Sequence, residues 1–108
     1  MGFQEITIGL FEEQDSTEPI YKVCFKKFNT NKPRAMYRCT FDEAVKALCC
    51  DDLVEKMQLQ RVFIRIEPAL SWVDIVNFQW TCSDWVQKNN LYVEALFHHP
   101  ATHITFAS

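Results

Sequence analysis

Between Ser71 and Lys88, polar residues recur at Asp74, Asn77, Thr81, Asp84 and Lys88, in steps of three and four. That recurrence is helical, because at about 100° per residue the five fall into one narrow stripe. The rest of the cylinder is largely apolar and carries all three tryptophans of the chain, Trp72, Trp80 and Trp85. On this spacing Trp72 points with Ile75, Val76, Cys82 and Val86 and belongs to a core stripe. Trp80 lies on one flank beside Val73, and Trp85 lies on the other beside Phe78. An apolar surface this wide exceeds what a single sheet contact covers. Either several neighbouring elements enclose it, or one flank, Val73 with Trp80 or Phe78 with Trp85, binds a partner.

Elements able to enclose such a helix are written on both sides of it. Gln4 to Phe11 alternates, with Ile6, Ile8 and Leu10 on one face, and Ile20 to Phe28 alternates again, with Tyr21, Val23 and Phe25 on one face. Period two predicts strands. A short third strand is expected over Ala35 to Cys39 and a clear one over Arg61 to Glu67, where Val62, Ile64 and Ile66 share a side and Pro68 ends the run. Leu91 to Phe97 and an edge strand at His103 to Phe106 follow, joined by a turn over His98 to Thr102. Thr40 with Glu43, and Ser71 with Asp74, have the spacing that caps helix starts. The first of these helices buries Phe41, Ala44, Val45 and Leu48 and continues through Leu53 and Met57, with a break or second helix start near Asp51. The pattern predicts an α+β fold, a mainly antiparallel sheet of about five strands with two helices packed on one face.

Composition narrows the function classes. The 108 residues suit a single globular domain over 1–108, and 48% hydrophobic with 23% charged residues is ordinary globular content. No apolar run approaches the roughly 20 residues that span a bilayer, and Met1 to Leu10 lacks the basic and apolar pattern of a signal peptide. The expectation is a small acidic cytoplasmic domain without a membrane partner. Cys24, Cys39, Cys49, Cys50 and Cys82 form an odd set with no CxxC pair, which reads as reduced thiols packed as small hydrophobes. Gly2 and Gly9 are the only glycines, so a glycine-rich phosphate loop is excluded.

Four constellations invite chemistry, and each has a plainer reading. His98, His99 and His103 are a ligand-type cluster, but Pro100 interrupts them and no carboxylate or thiol follows Phe97, so no metal or cofactor is assigned. Cys49 and Cys50 are candidate nucleophiles near Lys46, opposed by Asp51 and Asp52. Asp42 with Glu43 and Asp51 with Asp52 sit at helix starts, where the dipole favours negative charge. Lys22, Lys26, Lys27, Lys32, Arg34 and Arg38, six of eleven basic residues, follow the acidic stretch Glu12, Glu13, Asp15 and Glu18. Their alternation with Tyr21 and Phe25 puts charges and aromatics on opposite strand faces, and a net charge of −3 gives no general attraction for nucleic acid.

The leading expectation is therefore a non-enzymatic protein-binding domain, acting as an inhibitor, an immunity- or antitoxin-like protein or an adaptor that occludes a macromolecular partner, itself an enzyme in some such cases. Its contact residues would be Val73, Phe78, Trp80 and Trp85 with the acidic Glu12, Glu13, Asp15 and Glu18, and an exposed aromatic flank would also suit a homodimer. The alternatives are a small-molecule- or metal-binding, even catalytic, domain built on the three histidines, and nucleic-acid binding through residues 22–38.

Overall fold

Every strand among the described residues belongs to one sheet, and its order departs from the chain order at a single place. The computed structural model describes residues 4–11, 20–26, 34–38 and 40–107, with side chains over 40–107. Strands β1 (Gln4–Phe11), β2 (Ile20–Lys26) and β3 (Arg34–Arg38) run outward as antiparallel neighbours. The chain then passes through α1 (Phe41–Leu48) and α2 (Asp51–Met57) and returns to β4 (Arg61–Ala69) on the far side of β1. Helix α3 (Trp72–Asn89) leads to β5 (Tyr92–His99), and β6 (Ala101–Ala107) closes the order β3-β2-β1-β4-β5-β6.

The α+β class holds, while the finer expectation is revised. Among the described residues there are six strands and three helices, and the sheet is mixed, because β1 pairs parallel with β4 and β4 parallel with β5. Both parallel pairs are joined through helices, as the geometry demands: a parallel neighbour is reached only by a crossover. The third helix arises at the break near Asp51. Cys50 is extended and takes the N-cap position, so α2 begins at Asp51 as a separate short helix.

Local chemistry explains the other boundaries. The Thr40 hydroxyl accepts the Glu43 N–H at 3.1 Å and opens α1. Ser71 and Asp74 form a full capping box, in which Ser71 Oγ accepts the Asp74 N–H at 3.2 Å while the Asp74 carboxylate accepts the Ser71 N–H at 3.3 Å. Asn90, at φ 54°, ends α3 in the left-handed region that asparagine tolerates. Strand β4 runs past Pro68 to Ala69, beyond the expected end. Proline has no N–H to give the ladder, and the β4–β5 register shifts between Ile66 and Ala69.

The core lies between the helices and one face of the sheet. Phe41, Ala44, Val45 and Leu48 of α1 meet Val62, Ile64 and Ile66 of β4, Val93, Ala95 and Phe97 of β5, and Phe106 of β6. Alternate residues of β4 and β5, such as Phe63, Arg65, Glu94 and Leu96, are only half-buried on the opposite face. There Arg61 stacks over the Tyr92 ring at 5.3 Å, and Tyr92 donates to the Glu94 carboxylate at 3.2 Å. That hydrogen bond to Glu94 raises the Tyr92 pKa above its ordinary value. The acidic stretch Glu12, Glu13, Asp15 and Glu18 lies outside the described residues, as do Lys27 and Lys32.

Candidate functional site: the free flank of α3 and the edge of β6

Helix α3 divides into three arcs. Asp74, Asn77, Thr81, Asp84 and Lys88 form the polar one, and Ile75, Phe78, Cys82, Trp85 and Val86 are buried. Trp72, Val73, Val76 and Trp80 span a third arc of about 100°. Their exposures are 68%, 68%, 45% and 77%, and they are all the exposed large hydrophobic side chains among the described residues. Concentration of that kind is informative, since scattered exposed apolar residues are normal and contiguous ones mark contact surfaces.

The two flanks are thus resolved. Phe78 and Trp85, expected as alternative partner contacts, lie in the core and leave the candidate surface. Phe78 packs edge-on against Phe97 at 5.3 Å and Phe106 at 6.1 Å, with Phe41 at 6.5 Å. Trp85 is 2% exposed, and its Nε1 donates to the Cys50 carbonyl at 3.3 Å. Trp72, expected in the core stripe with Val76, is instead exposed with it. The physical reason is a rotation of α3: the Phe78 cluster and the Cys50 carbonyl draw the helix toward α1, and Trp72 and Val76 swing out.

The exposed flank overlooks the sheet edge. Gln79, Trp80, Ser83, Asp84 and Gln87 form one wall of an open groove of about 500 Å³, and Ile104 and Phe106 of β6 form the other. Strand β6 is the last of the sheet and pairs only with β5 among the described residues. Its outer side therefore presents backbone N–H and C=O groups in a row beside this groove. Asp84 does not leave a bare charge there, because its carboxylate holds Lys88 at 3.0 Å, an interaction that also raises the lysine's pKa.

The remaining candidates do not converge. His98 and His103 share the open face of the sheet, where Leu96 pairs with His103 and His98 with Ala101, and His99 stands on the other face at the strand end. Among the described residues no group of three or more His, Cys, Asp or Glu is placed to hold a metal ion. Cys49 sits against Cys82; interaction with that thiol first, and burial second, push the Cys49 thiol well above its ordinary range. A thiol so held keeps its proton, the opposite of an activated nucleophile. Lys46 pairs with Asp42 at 3.0 Å, one turn back. Of the basic segment 22–38, the described parts form β2 and β3 at the other end of the sheet. No helix among the described residues is long and apolar enough to cross a membrane. Compared with protein-family models, with curated proteins and with solved structures, the chain matches none.

Proposed function

We propose that this chain is a small non-enzymatic protein-binding domain that acts by covering part of a macromolecular partner, in the manner of an inhibitor, an immunity- or antitoxin-like protein or an adaptor. One observation carries the reading: Trp72, Val73, Val76 and Trp80 stand together in solvent on a helix whose other apolar arc already fills the core. Two exposed tryptophans of roughly 150 Å² or more each, at ~25 cal/mol per Å², hold roughly 7 kcal/mol of hydrophobic driving force before the costs of association. Tryptophan also loses little rotamer freedom on contact, which is why it anchors interfaces. Val73 and Trp80 remain the contact residues of this proposal, and Trp72 and Val76 join them.

A photo-reactive phenylalanine analogue in place of Trp80, irradiated in the native cell, tests it against the same analogue in place of the exposed Lys56 on α2. The expected result is a discrete polypeptide adduct at position 80 that is absent at 56. Equal labelling at both positions, or adducts of nucleic acid or small molecules alone, would contradict the proposal.

A further inference from the structure

We infer that the polypeptide seated on this flank is a second copy of the chain, joined so that the two β6 strands run antiparallel, edge to edge, and the two α3 flanks close over the seam. The inference rests on the reading of the flank as a protein-binding face and names its occupant.

Among the described residues, strand β6 shows none of the charges, prolines or bulges that guard a sheet edge. Ala101, Thr102, His103, Ile104, Thr105, Phe106 and Ala107 include no Lys, Arg, Asp, Glu or Pro. Natural edges avoid self-pairing with charges, prolines or bulges, and an edge without them is open to another strand. The strand is also matched to itself. With Ile104 on a two-fold axis, Ile104 faces its own copy, Thr102 faces Phe106, His103 faces Thr105 and Ala101 faces Ala107. Thr102, Ile104 and Phe106 share the helix side and the others the open side, so every pair stays on one face and no two like charges meet. That is the self-complementarity an isologous contact requires.

The helices fall into place about the same axis. Ile104 lines the groove with Trp80, so an axis through the middle of β6 passes beside the C-terminal end of the apolar flank. Phe78 is seated between Phe97 of β5 and Phe106 of β6, which sets α3 over that hairpin. An axis just beyond β6 brings the two α3 helices toward one another on the same side of the joined sheet. The groove wall meets its copy without repulsion, since Gln79, Ser83 and Gln87 beside Trp80 are neutral and Asp84 is paired with Lys88. A stable interface needs roughly 800 Å² from each partner. The two tryptophans give roughly 300 Å² of that, and Val73, Val76, Ile104 and the strand edge contribute further area.

Sedimentation of the purified full chain over a wide concentration range tests the inference. The expected result is a rise from the 12.7 kDa monomer to twice that mass. Trp80→Glu, at a solvent-facing helix position, and Ile104→Lys, which sets two ammonium groups at the axis, should each weaken the dimer at least tenfold. Circular dichroism checks that both variants fold, and Lys56→Glu serves as the control that leaves the dimer intact. A chain that stays monomeric at every concentration overturns the inference, as does a dimer indifferent to Trp80→Glu. If the monomeric chain still cross-links a different polypeptide from position 80, the second-copy inference fails and the protein-binding reading survives. If no polypeptide cross-links there, both fail.

Discussion

Trp85 and Trp80 stand on the same helix, about 140° apart around its axis, and their surroundings are opposite. Trp85 is enclosed by the core and gives its indole N–H to the Cys50 carbonyl, whereas Trp80 is 77% exposed above the groove beside β6. The side chains are identical, so the difference comes from the neighbours. On one side α1 brings Phe41, and the α1–α2 junction brings the Cys50 carbonyl, which also accepts the Leu53 N–H at 3.2 Å; on the other side the described sheet ends at β6. Hydrophobicity selects what can be buried, and topology decides which of it is. The surplus on α3 is therefore a property of one flank.

Substitution separates the flanks most sharply in stability. Phe78→Ala empties the centre of a cluster with Phe41, Phe97 and Phe106 and should cost about 3–5 kcal/mol in denaturant unfolding. Trp80→Ala, measured under conditions where the chain is monomeric, should change stability by less than about 0.5 kcal/mol. Equal costs at the two sites would erase the distinction between the flanks.

A subtler change tests why Trp85 is held inward. Trp85→Phe keeps an aromatic ring but removes the indole N–H from the Cys50 carbonyl, which retains the Leu53 N–H as a donor, and it should cost about 0.5–1.5 kcal/mol in the same measurement. A negligible effect would mean that ring burial alone orients the helix. Ser71→Ala removes the oxygen that accepts the Asp74 N–H and should cost about 1 kcal/mol. Because this cap serves the whole helix, the loss should not alter partner binding by the folded chain, in contrast to a change at Trp80.

The core side also carries a pH signature that the exposed flank lacks. Cys49 keeps its proton in the folded chain because of Cys82 and burial, while an unfolded thiol ionises near its ordinary value of 9.0. The folded state then binds more protons than the unfolded state above that value, so stability falls as the pH rises beyond it. Alkylation mapped by mass spectrometry should find Cys49 unreactive in the native chain at mildly alkaline pH and reactive after denaturation. Rapid native labelling of Cys49 would contradict its placement against Cys82.

Much of the architecture was legible in local pattern. Period two located the strands within a few residues, and Thr40 with Glu43 and Ser71 with Asp74 marked where α1 and α3 begin. Strand order was not legible, because nothing in Gln4 to Phe11 says that Arg61 to Ala69 will lie beside it, in parallel. The orientation of α3 differs by about 60° from the one that its spacing predicts, because Trp72 and Val76 face solvent and not the core. The sequence does contain the discriminating signal. Gln79, Ser83 and Gln87 interleave with Trp72, Val76 and Trp80, whereas before Asn89 in the last turn no polar residue of α3 interrupts Ile75, Phe78, Cys82, Trp85 and Val86. An uninterrupted apolar arc is the one a core can take, since every buried polar group would need a partner.

The central claim is that one flank of α3 faces solvent in the free chain and is covered when the chain is bound. Acrylamide quenching of tryptophan emission in a dilution series tests it most directly. At the highest dilution two of the three tryptophans should be quenched readily, Trp72 and Trp80, with Trp85 protected, and the accessible fraction should fall as the chain associates. Protection of all three at the highest dilution, in a chain still folded and monomeric, would contradict the account.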